Sequence, residues 1–176
     1  MANYCTTALK SIAYDCTPSK GGIVEAWVAN FAEGIFTTSA DTSGNTFISE
    51  IATGVTWYNL KFRRNTGSAT STLNVDDATG LNYVGTDLAL QFARQDTPKR
   101  AAVAALALGG LAGIYKDANG KYWAIGVEAP VYSTGGGAAT GTAVSDGNNY
   151  TITLHDDASS FPYEVAAEAV SNLPTE

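Results

Sequence analysis

The chain contains a single histidine, His155, which limits the acid–base chemistry available to it near neutral pH. A serine or cysteine nucleophile that relies on an imidazole would have to use this residue. In the segment NYTITLHDD, alternation puts it on the strand face opposite Tyr150, Ile152 and Leu154, which we expect to be the wetter face. No G-x-S-x-G motif, which would place a serine on a nucleophile elbow, occurs in the sequence. We therefore predict a surface histidine and a protein that is not an enzyme.

Two cysteines, Cys5 and Cys16, lie close together near the start of the sequence. With His155 they would supply fewer ligands than a closed tetrahedral zinc site needs, so we expect no structural zinc. One interpretation is a disulfide bond that forms outside the reducing cytosol. The other is a pair of free thiols packed in a small N-terminal lobe.

The glycine-rich segment 135–141 has the composition of a phosphate-binding loop but not its motif. Thr142 stands where a P-loop has lysine, and Thr140 replaces the third glycine of a dinucleotide-binding motif. We therefore predict a flexible surface loop and no cofactor. The acidic pairs Asp76–Asp77 and Asp156–Asp157 stand beside turn signals, where solvated carboxylates are expected.

Length and charge restrict the fold and the partners further. A chain of 176 residues and 18.3 kDa predicts one domain, residues 1–176. Its net charge of -7 argues against a broad surface that grips nucleic acid phosphates. The longest apolar run, residues 101–115, is shorter than the roughly 20 residues that cross a bilayer, and no basic and apolar leader opens the sequence. We therefore expect neither membrane insertion nor Sec export.

Most of the sequence shows the short apolar alternations of β-strands, separated by turn signals. The longest strand candidate, 55–64, alternates Tyr58, Leu60 and Phe62 with polar residues. Segments 65–71 and 132–149 are rich in Gly, Ser and Thr and are predicted to be loops, the first of them a mobile tip. Residues 70–75 are predicted to return as the partner strand of 55–64. The turn at 117–120 is predicted to join strands 111–116 and 121–126 into a hairpin. The other predicted strands are 23–30, 35–38, 46–51, 86–93, 150–155 and 163–167.

One helix is predicted at about 97–109, because Asp96-Thr97-Pro98 provides a cap and first turn and Gly109-Gly110 provides a stop. The helix is rich in alanine and has no charge after Arg100, so it needs cover on nearly every side. Either a second copy or the domain itself can supply that cover. The predicted architecture is mainly β: an antiparallel β-sandwich or partly closed barrel with one inserted α-helix.

Four stretches of the sequence resemble structural proteins of tailed bacteriophages that infect Bacteroidetes-type hosts. They are SKGGIVEAWVANF, FRRNTGSATSTLNVDDATGLNYVGTDLALQFARQDTPKR, KDANGKYWAIG and DGNNYTITLHDDASSFPYEV, and together they cover most of the chain. The similarity is greatest to tail tube subunits, and none of the four stretches is a catalytic motif.

The resemblance implies a small β-sandwich or barrel with a helix on its flank, a homohexameric ring, and rings that stack into a tube. It implies a virion protein assembled in the bacterial host cytoplasm, with itself and other phage tail or head proteins as partners. DNA would pass through the tube without specific binding. Residues 1–20, the 65–71 loop and residues 163–176 are the segments that would link subunits.

The residues expected at subunit contacts are two arginines and three apolar helix residues. The wall of a channel for a polyanion should carry few cations, so we expect Arg63 and Arg64 at subunit contacts rather than in the lumen. The alternative is that both arginines are solvated at the end of a strand. The expected contact residues are Arg63, Arg64, Val103, Leu106 and Leu108.

Two other functions fit the same composition. A capsid auxiliary or decoration protein would also be β-rich and acidic, but it would bind the lattice of another protein. A carbohydrate-binding or immunoglobulin-like module would use Trp27, Trp57 and Trp123 as stacking platforms, although tryptophans in a domain of this size are more often buried.

Overall fold

Residues 10–174, which the computed structural model of the chain describes, form eleven β-strands, one α-helix and one short 3-10 helix. The strands are β1 (Ile23–Asn30), β2 (Phe36–Ala40), β3 (Thr46–Ile51), β4 (Tyr58–Asn59), β5 (Gly67–Asp76), β6 (Leu81–Ala93), β7 (Leu111–Asp117), β8 (Tyr122–Ile125), β9 (Tyr132–Ala139), β10 (Asn149–Ala158) and β11 (Tyr163–Val165). The helix α1 spans Thr97–Leu108, and the 3-10 helix spans Ala169–Asn172.

The strands form two sheets that do not close into a barrel. One has seven strands in the order β2-β3-β11-β8-β7-β1-β4, and the other has four in the order β5-β6-β10-β9. All neighbours are antiparallel except β3 and β11, which run parallel at Ile48 and Val165. The predicted mainly β fold with one inserted helix is therefore confirmed, and of the two predicted architectures the sandwich is the one observed.

The central strands β1 and β7 of the seven-stranded sheet are largely buried on both faces, as the nearly continuous apolar run of β1 suggests. One face packs against the four-stranded sheet, where Val28 meets a core that includes Leu88 and Ile152. The other face forms a second core around Trp27, covered by chain segments that include Leu173. Both cores exclude water from apolar side chains, the dominant favourable contribution to folding.

Register in the four-stranded sheet decides which side chains face water. β10 pairs with β6 over ten consecutive residues, from Asn149 opposite Ala93 to Ala158 opposite Val84. Apolar residues at alternate positions are buried on both strands, and the residues between them face outward. The alternation predicted for residues 86–93 and for 150–155 is therefore confirmed, although both strands extend further than the sequence indicated.

The helix begins as predicted, because the Asp96 side chain accepts a hydrogen bond of 2.8 Å from the backbone N–H of Lys99. It ends at Leu108, before Gly109. It has 12 residues, and no helix in the described part of the chain is long and apolar enough to cross a membrane. Only Leu106 in α1 is buried, so the domain does not cover the rest of this apolar helix.

The prediction of a long strand at 55–64 is wrong. Only Tyr58 and Asn59 pair with β1, and the chain then turns, with the Thr66 N–H bonded to the carbonyl of Arg63. Leu60 and Phe62 are half-buried, but Tyr58, which was assigned to the same core face, is exposed. Local alternation was present, but no partner strand lies along residues 61–64 to complete a ladder.

The predicted loop at 65–71 is largely wrong, and the predicted loop at 132–149 is wrong for 132–139, whereas 140–148 contain no strand or helix. β5 begins at Gly67 and pairs with β6 instead of with residues 55–64. β9 occupies the first part of the glycine-rich segment and pairs with β10. A Cβ on Gly136 would lie 2.6 Å from the backbone carbonyl oxygen of Thr151, so glycine is required there for the two strands to approach.

The two terminal segments differ in how they pack on the rest of the chain. Residues 10–22 are exposed throughout, and the Lys10 ammonium contacts Ser43 and Asn45. Residues 163–174 pack on their own seven-stranded sheet, where the Trp27 indole N–H donates to the carbonyl of Pro174 at 2.7 Å. Their expected role in linking subunits stays a prediction.

The two adjacent glycines of β9 provide a matched test of this packing. We expect Gly136→Ala to lower the free energy of unfolding by about 1–3 kcal/mol, since the new methyl group meets the Thr151 backbone. Gly135→Ala has open space within 4 Å and should change it by less than about 0.5 kcal/mol. Urea denaturation of both variants measures the difference, and equal destabilisation would contradict the assigned register of β9.

Candidate functional site

His155 is the centre of a hydrogen-bonded cluster on the outer face of the four-stranded sheet. Its Nδ1 lies 2.6 Å from Asp87 Oδ1 on β6, and its Nε2 lies 3.0 Å from Asp157 Oδ1 on the same strand as the histidine. The Tyr132 hydroxyl on β9 donates to Asp157 Oδ2 at 3.0 Å, and the Tyr132 ring packs edge-on against the imidazole. The cluster therefore links three neighbouring strands through their side chains.

The two carboxylates favour the protonated imidazole. The hydrogen bond to Asp87 is the largest influence and raises the pKa of His155, burial acts in the opposite direction, and the bond to Asp157 raises it again. Among the described residues, neither ring nitrogen contacts a serine, threonine or cysteine. The arrangement can hold a proton between strands, but it does not have the geometry of an activated nucleophile.

Asp156 corrects the expectation that the two aspartates at 156–157 are solvated. It lies on the core side of β10 with only 5 % of its surface exposed. Its carboxylate accepts a 3.0 Å hydrogen bond from the Gly126 N–H, which ties β10 to the turn after β8. Burial is the largest influence and raises the pKa of Asp156, and Asp157 and Glu128 raise it further.

Cys16 is the cysteine that lies within the described residues. Cys16 is exposed and makes no disulfide bond within residues 10–174, whereas Cys5 lies outside the described residues. Across that same range, no three histidine, cysteine or acidic side chains are grouped closely enough to hold a metal ion.

The outer face of the four-stranded sheet is polar and carries no lysine or arginine. None of the ten lysines and arginines of the chain lies in β5, β6, β9 or β10. The outward positions beside the His155 cluster carry hydroxyl, amide or small side chains. They include Ser68, Thr70, Thr72, Ala89, Gln91, Gly135, Gly137, Thr151 and Thr153.

Both edges of this sheet are open in the described chain. β5 pairs only with β6, and β9 pairs only with β10, so each has a row of backbone N–H and C=O groups on its outer side. Open edges of ten and eight residues are strong templates for pairing with another strand. Neither edge strand contains proline or lysine, which proteins commonly use to block such pairing.

The helix α1 leaves a third surface without cover. Leu106 belongs to the core of the domain and Val103 packs against that core, whereas Leu108 is 90 % exposed. Of the three apolar helix residues expected at subunit contacts, Leu108 is thus the one that is fully available. Two grooves flank the helix, one of about 490 Å³ beside β1 and β4 and one of about 550 Å³ beside β9 and β10.

The predicted arginines lie where the four-stranded sheet ends. Arg63 and Arg64 are exposed, and Arg63 lines a depression together with Arg94 and Asn148. The same depression includes Gln91, so Arg63 borders the polar sheet face at its end. The contact of Arg63 and Arg64 with another subunit stays a prediction.

The tryptophans do not form the stacking platform of a carbohydrate-binding module. Trp27 and Trp57 are buried in the second core, and Trp123 is half-buried with its indole N–H bonded to Asp117 at 3.1 Å. Burial of the large apolar ring is the common outcome for tryptophan.

Sequence reasoning missed the cluster partners of His155 and the extent of the polar face. Asp87 lies 68 positions from His155, and only strand pairing brings them together. The sequence shows that these four segments contain no lysine or arginine. This absence indicates a surface free of both residue types only once the four strands are known to form one sheet. No family model matches the chain, and no significantly similar curated protein or solved structure was found.

The His155 cluster predicts a pH dependence of stability. A histidine whose folded pKa is raised stabilises the fold fully below the unfolded value near 6.5, and this stabilisation is lost as the pH rises through the folded pKa. We therefore expect the free energy of unfolding of the wild type, relative to His155→Gln, to be larger at pH 5.5 than at pH 8.5. Urea denaturation of both proteins at the two pH values measures this, and a pH-independent difference would contradict it.

Proposed function

We propose that this chain is a self-assembling structural subunit of a phage tail tube, which forms rings that stack around a channel for DNA. The resemblance of four sequence stretches motivates the proposal. The arrangement of charge on the four-stranded sheet supports it best.

The observation that carries the proposal is the polar sheet face without lysine or arginine. DNA is a dense polyanion, and every cation on a channel wall would hold a phosphate and release counterions. A wall of hydroxyl, amide and small side chains, whose ionisable cluster of Asp87, His155 and Asp157 has one more acidic group than basic groups, repels the phosphates weakly and lets the duplex slide. We therefore assign this face to the lumen of the tube.

Open strand edges provide a means of closing the ring. If β5 of one subunit pairs with β9 of the next, the four-stranded sheets join into a continuous barrel, and neither edge remains exposed. The contact is heterologous, because it uses two different edges, and such a contact forms a ring when its rotation closes. Six subunits are the number that the resemblance implies.

Electron microscopy of the purified protein tests the proposal directly. We expect rings or stacked tubes at high protein concentration. In virions probed with a labelled antibody, we expect the label along the tail. A protein that remains monomeric at high concentration, or a label on the head shell and none on the tail, would reject the tail tube and favour a capsid decoration protein.

Chemical labelling tests which sheet face lines the channel. In a variant with Cys5→Ser and Cys16→Ser, Thr153→Cys places one thiol on the proposed lumen face. In the same background, Glu50→Cys places one at an exposed position of β3 in the other sheet. A bulky polyethylene glycol maleimide should modify both thiols in the monomer, but in tubes only the thiol at position 50. Equal modification of the two thiols in tubes would place the polar face elsewhere.

A further inference from the structure

The hairpin between β5 and β6 extends beyond the rest of its sheet. β10 ends at Ala158, opposite Val84, so residues 74–83 form a two-stranded ribbon with no third strand beside it. A two-stranded ribbon alone is at most marginally stable in water, and it gains stability when it packs against another element. We call residues 73–81 the hairpin tip.

The hairpin tip combines exposed apolar side chains with negative charge. Leu73 is 52 % exposed and Val75 is 59 % exposed, on the side of the ribbon that continues the core face, and Leu81 is exposed on the other side. The turn adds Asp76 and Asp77, and hydrogen bonds from Thr79 and Ala78 lower the pKa of Asp76 and keep it ionised. An exposed apolar patch bordered by polar residues is typical of a protein–protein contact surface.

The groove between α1 and β9 has the complementary character. Its volume is about 550 Å³, and its lining is largely apolar, including Val103, Ala104 and Ala107 of the helix and Ile152 of β10. Arg100 lines the same groove and is exposed. Within residues 10–174 it forms no ion pair with a carboxylate.

The tip and the groove of one chain cannot meet. The groove lies beside Ile152, which pairs with Leu90 of β6, whereas Leu73 of the tip pairs with Val84. Six residues separate these two positions of β6, which is roughly 20 Å at the usual rise of about 3.3 Å per residue. The ribbon also continues the direction of β5 and β6 away from the groove. A second copy must therefore supply the tip that fills it.

We propose that the hairpin tip of one copy docks in the groove between α1 and β9 of the next, with Asp77 facing Arg100. This inference rests on the proposed function and identifies a contact within the assembly. Leu73 and Val75 would cover the apolar helix face that the domain leaves exposed. The contact uses two different surfaces, so it is directional and links copies head to tail.

A charge exchange tests the contact. We expect Asp77→Lys and Arg100→Glu each to raise the protein concentration needed for self-association by at least about tenfold, because each variant puts like charges together. In an equimolar mixture the two variants can alternate along the assembly. The lysine introduced at position 77 of one variant then faces the glutamate introduced at position 100 of the other. At the next contact, the natural Asp77 faces the natural Arg100. Association should therefore return in the mixture. Glu50→Lys and Lys61→Glu are the matched controls, with the same charge changes at exposed positions outside both surfaces and outside the segments expected to link subunits.

Sedimentation velocity on the wild type, the variants and the mixture separates the outcomes. Loss of association in each variant and recovery in the mixture, with the controls unchanged, would support the contact. If the wild type associates and the variants do so equally well, or the mixture does not recover, the contact is wrong while the proposed function stands. If the wild type does not associate at all, both fail.

Discussion

The pairing of β6 with β10 is the constraint on which the rest of the molecule depends. Because side chains alternate between faces, the register that buries Leu88, Leu90 and Ile152 must also turn Asp87, Thr153 and His155 outward. A shift of one residue would bring His155 into the core and expose Ile152. The apolar core thereby fixes the composition of the opposite face, although none of the polar residues takes part in it.

This constraint explains which parts of the fold were predictable from the sequence. The strands at 23–30, 46–51 and 86–93, the capped helix and the hairpin around Asp117–Gly120 carry their own signals, through alternation, a cap or turn residues. Segment 55–64 shows the same alternation, but a ladder also needs a partner strand, and pairing partners are not encoded locally. The predicted strand therefore failed after Asn59.

The loop predicted for the glycine-rich segment 135–141 was largely wrong, for the opposite reason. Its composition indicates a loop, because glycine and small residues provide little apolar surface to bury. In the structure, β10 supplies the hydrogen bonds and the packing, and a lack of side chain at Gly136 is what permits close approach to Thr151. The candidate site was similarly hidden, since a polar face without lysine or arginine is a property of four strands together and no single strand reveals it.

Helix α1 links the fold to the proposed assembly. A helix with so little charge after Arg100 would ordinarily be enclosed, yet the domain buries only Leu106, and the four-stranded sheet has too few strands to wrap around it. The same sheet also leaves two strand edges and one hairpin tip without partners. These deficits are complementary: two edges can pair with each other, and an apolar acidic tip can fill an apolar groove beside an arginine. All of them can be satisfied by identical copies arranged in one direction, whereas a symmetric dimer that buried one surface against itself would leave the others exposed.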